Sequence, residues 1–251
     1  MSLLQPDEPA PVLLERAGAR SPFVITCDHA GQLLPRSLGD LGVSAAERAR
    51  HIGWDIGALG LARELAERLD GVLVAQRYSR LVIDCNRPAA SPDLICVRSE
   101  ATNIPGNCAV DAVSRAARID AIYRPYHATL RALLDGRAAA ARTTIYIAVH
   151  SFTPIYAGVA RPWQVGVLYG PDTRLATPLL ATLLAAGDVT VGDNQPYRID
   201  DHDHSIPEHA LARGLPHVLL EIRQDLLTTA AMQAAWGERL ASDLARAARA
   251  L

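Results

Sequence analysis

Six short apolar runs rich in β-branched residues, set between stretches of helical period, constrain this chain more than any other feature. They are "FVITC" (23–27), "GVLVAQ" (71–76), "SRLVIDCN" (79–86), "TTIYIAVHS" (143–151), "PWQVGVLYG" (162–170) and "PHVLLEIRQ" (216–224). Runs of this kind read as strands buried on both faces, the habit of a parallel sheet covered by helices. The intervening segments are helical in pattern: Ile56, Leu59, Leu61, Leu65 and Leu69 recur at near-helical spacing. Ser44, with Glu47 three residues on, has the form of a capping box. Residues 113–141 read as a long helical region in which Pro125 predicts a kink or break. Residues 173–187 read as a helix stopped by Gly187, and 229–250 as a closing Ala/Leu/Arg helix. Residues 88–108, with their prolines and asparagines, read as a loop. The alternation predicts an α/β layer fold with a mostly parallel sheet between helices, built as one domain over residues 1–251.

Composition narrows the function. A formal net charge of −2 predicts neither a nucleic-acid partner nor an anionic membrane surface. Every basic residue is arginine, which we attribute to genomic base composition. The four cysteines form no C-x-x-C pair, so a cysteine zinc site is not expected, and Cys27 and Cys85 lie in apolar runs as core residues. The opening "MSLLQPDEPAPVLLERAG" has no basic region followed by an apolar run, which predicts no signal peptide. No apolar stretch reaches the roughly 20 residues that span a bilayer, so the expected location is the cytoplasm. Neither G-x-G-x-x-G nor G-x-x-x-x-G-K occurs, and no nucleotide is called for.

The strand ends carry the chemistry. "FVITC" ends on Asp28 and His29, "RLVIDC" on Asn86 and Arg87, "IYIAV" on His150 and Ser151, and "HVLLE" on Glu221. Open α/β sheets bind ligands beyond the carboxyl ends of their strands. Two histidines on separate strand ends plus one carboxylate make the three-ligand set of a catalytic zinc site, with a fourth position open to water. Asp55, in "HIGWDIGA", is the candidate third ligand, although a carboxylate at a helix start also suits the dipole. His202 and His204 fall in a polar segment that reads as a solvated turn or an active-site loop. His209, opening a short helical stretch, is a candidate donor to a substrate. His51, His127 and His217 read as packed or surface residues, and Asp84 as a buried partner for Arg80 or Arg87.

Five pieces of the chain together resemble the N-formylglutamate amidohydrolase family: "DHAG" (28–31), "GWD" (53–55), "SRLVIDCNRP" (79–88), "VHSFTP" (149–154) and "GLPHVLLEIRQDL" (214–226). That family is similar in fold to zinc carboxypeptidases and aspartoacylases. The resemblance implies a three-layer sandwich with a mixed central sheet, one Zn²⁺ per chain, and hydrolysis of the amide of N-formylglutamate or a related N-acyl amino acid. It implies His29 and His150 as zinc ligands, Glu221 as general base, and Arg87 as a stabiliser of the oxyanion. Asn86 and Arg87 resemble the Asn-Arg pair that holds a substrate carboxylate or the polarised carbonyl, with Arg80 and Arg223 as further carboxylate ligands. The chain departs from the carboxypeptidase His-x-x-Glu motif, since Gln32 stands three residues after His29. The third ligand must therefore come from elsewhere, from Asp55 or, failing that, Asp28. The implied partner is a small carboxylate substrate. A carboxypeptidase-like action on small peptides, or a non-catalytic binding protein of the same fold, are the alternatives.

Overall fold

A computed structural model describes residues 2–200 and 202–251. In chain order its strands are β1 (Val12–Glu15), β2 (Phe23–Cys27), β3 (Val72–Gln76), β4 (Arg98–Ser99), β5 (Thr102–Asn103), β6 (Ile145–Phe152), β7 (Ile155–Tyr156), β8 (Val159–Ala160), β9 (Val165–Leu168), β10 (Val191–Asp193) and β11 (His217–Arg223). The helices are α1 (Ala45–Arg48), α2 (Ala58–Arg68), α3 (Ala112–Arg118), α4 (Arg124–Ala139), α5 (Ala176–Ala186) and α6 (Ala230–Ala248). Seven strands form one sheet in the order β1-β3-β2-β6-β11-β9-β10; β4-β5 and β7-β8 are separate two-stranded hairpins. The four central strands β3, β2, β6 and β11 run parallel, while β1 and β9 pair antiparallel to their inner neighbours. This is the mixed, mostly parallel α/β sheet between helices that the pattern and the resemblance predict.

Because the central strands are buried on both faces, parity alone decides where each side chain goes. Ile25, Leu73, Ile147 and Leu220 pack with Leu61 and Leu65 of α2, Leu179 of α5 and Leu240 of α6. Val24, Tyr146, Ala148 and Leu219 face the other way, toward Leu134 of α4 and Ile206. His150 shares parity with Tyr146 and Ala148, and Glu221 shares it with Leu219. The parallel register sets Glu221 directly opposite His150.

One expectation needs correction. "SRLVIDCN" is not a strand but a buried succession of turns. Its backbone is satisfied locally: Val82 N–H donates to Ser79 O (2.9 Å), Arg87 N–H to Asp84 O (3.2 Å), and Asp84 N–H to Leu94 O (2.8 Å). Leu81, Val82 and Ile83 still fill the core, so the apolar run reported burial rather than strand geometry. Pro125, read as a kink or break, stands in the first turn of α4, directly after a π-helical turn over Ile119–Tyr123 that interrupts the α-helical pattern between α3 and α4. The wider turn accommodates the missing N–H and the bulk of the ring. Ser44 caps α1 by accepting from Glu47 N–H (3.2 Å), whereas the Glu47 carboxylate turns to Arg50 (2.6 Å), completing half of the box.

Candidate active site

His29 leaves the end of β2 on a loop pressed against the chain that follows β3. A Cβ on Gly31 would lie 1.9 Å from the Arg77 carbonyl oxygen, so only glycine permits that approach. Asp55 is tied to the same loop by its own backbone, its N–H donating to His29 O at 3.0 Å. His150 is carried rigidly by β6. The three side chains are buried, and one ligand atom from each lies within 4.8 Å of the other two.

Each histidine turns Nδ1 inward and Nε2 toward a carboxylate. His29 Nδ1 lies 3.4 Å from Asp55 Oδ2, while Nε2 bonds Asp84 Oδ1 at 2.7 Å. His150 Nδ1 lies 2.8 Å from the same Asp55 oxygen, and its Nε2 faces Asp28 Oδ2 at 3.4 Å. Asp84 is itself held by Arg80 (2.7 Å), whose other nitrogen lies 3.6 Å from Asp55. Burial opposes a charge on His150, but Asp28 and Asp55 together raise it well above the usual imidazole range. Burial and Arg80 oppose a charge on His29, and Asp84 with Asp55 raise it nonetheless. Burial alone would raise Asp55; His29 and His150 outweigh it and hold the carboxyl below its ordinary range.

This donor set fits a divalent cation. Ligands about 2.0–2.1 Å from a tetrahedral zinc stand roughly 3.3 Å apart, close to the separations around Asp55 Oδ2. His29 Nδ1 is buried and has no hydrogen-bond partner, although it points at the gap. The outer arrangement is also that of a metal site, since ligating imidazoles commonly donate their second nitrogen to a carboxylate. The geometry separates Asp55 from Asp28: Asp55 sits on the inner, Nδ1 side, and Asp28 sits behind His150.

The site opens into a cleft of about 500 Å³ whose walls include His29, Asp55, Arg80, Asn86, Arg87, His150 and Glu221. Glu221 is buried, with Oε2 unpartnered; burial, reinforced by the Asp55 charge, pushes its carboxyl up to about 8. Arg87 donates to His202 O (3.0 Å) and lies 3.7 Å from Asp203. Asn86 is on the wall, but its amide is engaged with the chain, donating to Asp203 (2.9 Å) and accepting from the backbone of His204 (3.1 Å) and Ser205 (3.0 Å).

Two candidates lie elsewhere. Arg223 is outside the cleft lining: although it shares strand parity with Glu221, it stands at the end of β11 and its guanidinium turns to Asp225 at 2.8 Å. His209 is fully buried away from the cleft, with Nε2 2.8 Å from His127 Nδ1. The cleft also recruits His51, which the sequence read as a packed or surface residue, and Glu100, Tyr156, Tyr197 and Arg198, which it did not single out. The polar segment around His202 and Asp203 was the one signal pointing there, and it does form a wall of the cleft.

The sequence model described as N-formylglutamate amidohydrolase matches residues 21–228. An N-formylglutamate deformylase of Pseudomonas putida is 33% identical over 126 residues. That match covers 46% of this chain and 46% of the relative, so the chain spans about half the length of the curated relative it matches. The crystal structure of a gene product from Agrobacterium tumefaciens superposes with a TM-score of 0.96 at 40% identity, over 98% of each chain. That of an N-formylglutamate amidohydrolase from Ralstonia eutropha gives 0.72 at 23% identity, covering 96% of this chain and 98% of the other, a likeness of fold.

Proposed function

Because the chain belongs to the N-formylglutamate amidohydrolase family, we propose that its cleft hydrolyses the amide of N-formyl-L-glutamate or a close N-acyl amino acid with the help of one zinc ion. The observation that carries this reading is the buried His29–Asp55–His150 set beside an unpartnered Glu221. When bound there, zinc supplies a Lewis acid that acidifies water and polarises a carbonyl.

His29 and His150 would hold the ion through Nδ1, and Asp55 through its carboxylate. Asp84, accepting a hydrogen bond from His29 Nε2, and Asp28, facing His150 Nε2, orient the two rings. Glu221 accepts a proton from the attacking water and returns it to the leaving nitrogen, one carboxylate serving both steps. Burial raises its carboxyl, and a divalent cation held by the three ligands would favour the carboxylate. Arg87 stabilises the developing oxyanion, a contribution typically worth about 10²–10³ in rate. Arg80 braces Asp84 and Asp55 while lining the cleft, and Asn86 holds the wall formed by residues 203–205. The arginines on these walls suit a substrate carboxylate, which a guanidinium binds through two parallel hydrogen bonds.

We read residues 1–251 as one catalytic unit, since the cleft draws on segments from both halves of the chain. No helix among the described residues is long and apolar enough to cross a membrane. The four cysteines are all free thiols, in keeping with a reducing cytoplasm. The test is formate release from N-formyl-L-glutamate set against N-formyl-L-glutamine and a small peptide. Preference for the dicarboxylate supports the reading. Turnover of the peptide alone would move it to a carboxypeptidase-like action, and no turnover of any of the three by zinc-loaded protein would contradict it.

A further inference from the structure

The two histidines are braced differently, and the difference singles out a tyrosine outside the cleft. Behind His29, Asp84 accepts from the ring at 2.7 Å and is neutralised on its other oxygen by Arg80, also at 2.7 Å. Behind His150, Asp28 is fully buried and has no arginine against it. Its Oδ1 instead accepts the Tyr126 hydroxyl at 2.5 Å. Its Oδ2 faces His150 Nε2 at 3.4 Å, and each of those two buried atoms lacks a hydrogen-bond partner, which leaves them to each other. Tyr126 is itself fully buried on α4, so its hydroxyl is held by the packing of the helix on the sheet.

From this geometry we infer that Tyr126 is a positioning residue for the metal ligand His150, acting through Asp28. The inference rests on the reading of His29, Asp55 and His150 as ligands of a divalent cation. A carboxylate between two groups is free to rotate unless one oxygen is pinned. Tyr126 pins Oδ1, and that aims Oδ2 at Nε2–H. With its proton on Nε2, the ring offers the Nδ1 lone pair inward. A neutral hydroxyl does this without cancelling the charge of Asp28, unlike the guanidinium at Asp84. The negative charge behind His150 then makes its Nδ1 the more strongly donating of the two imidazole ligands. Burial and the Asp28 charge keep the Tyr126 hydroxyl protonated as a donor.

The experiment is zinc affinity by competition with a chromophoric chelator, on the whole chain. Tyr126→Phe keeps the ring and removes only the hydroxyl. It is expected to weaken zinc binding about tenfold, at the lower end of what outer partners of metal ligands contribute. Tyr78→Phe is the matched control: it also deletes a tyrosine hydroxyl, one that donates to Pro9 O at 2.8 Å and lies outside the cleft lining, and should leave affinity unchanged. In an Asp28→Asn background Tyr126→Phe should have no further effect, because Tyr126 acts only through the carboxylate. A role in stability alone would lower the melting temperature and leave these affinities untouched, which overturns the inference.

A readout on the wild type requires no variant to fold. The Tyr126 hydroxyl proton, buried and hydrogen-bonded to Asp28, is protected from exchange with water, and its resonance should move when zinc loads; an unmoved resonance counts against the inference. If the wild type binds zinc and Tyr126→Phe binds it equally well, this inference falls and the metal reading stands. If the wild type fails to bind zinc, both fall.

Discussion

The residues to which we assign the chemistry sit where a strand ends and a polar side chain begins. His29, His150 and Glu221 are legible for that reason: an apolar run that stops on a titratable group demands an explanation. Asp55 was legible as a candidate but not as a choice over Asp28, because the two differ only in which side of His150 they occupy, and spacing does not encode that. Tyr126 left no sequence signal, since on a helical pattern an aromatic residue is ordinary core. Glu221→Gln tests the central role at this scale. The variant removes the proposed proton acceptor and leaves the proposed zinc ligands untouched, so kcat should fall by about 10²–10⁴-fold while metal content stays at that of the wild type. Near wild-type turnover in that variant would remove Glu221 from the mechanism.

Among the elements, the sheet was legible because fully buried strands show long apolar runs, and edge strands were not. β1 and β10 are short and half-buried and carry no such run. The misreading of residues 79–86 has the same root, since burial without regular pairing produces the same apolar stretch as a strand. The loop after β2 shows what positions a ligand at this scale. Gly31→Ala drives a methyl into the Arg77 carbonyl at 1.9 Å, backbone against backbone, with no flexible neighbour to yield. Urea unfolding should show a loss of about 3 kcal/mol, the upper part of the usual range for overpacking. Zinc affinity should fall with it, as His29 shifts. Wild-type stability in this variant would mean that the loop relaxes freely and does not fix the ligand.

For the molecule as a whole, fold class and family were readable from patterns that span the chain, but the buried polar interior was not. His127 and His209 form a stacked pair behind the sheet, with ring centroids 5.2 Å apart. Burial, reinforced for His127 by the neighbouring histidines, pushes His127 down to about 3; burial likewise takes His209 down to about 4. Both are therefore neutral in the folded protein and titrate near 6.5 when it unfolds. The stability gained by keeping them neutral is complete above about 6.5 and is lost as pH falls toward 4, by up to roughly 1.4 kcal/mol per pH unit for each ring. The urea midpoint should thus drop between pH 7 and pH 5, and His209→Gln should flatten that drop. An equal drop in the variant would assign the acid sensitivity to other groups.

The most direct test of the account is metal content joined to hydrolysis. Protein purified with zinc present should contain about one zinc per chain, and formate release from N-formyl-L-glutamate should cease on chelation and return with stoichiometric zinc. Hydrolysis that persists in metal-free protein, or a chain that takes up no zinc, would contradict the role assigned to His29, Asp55 and His150.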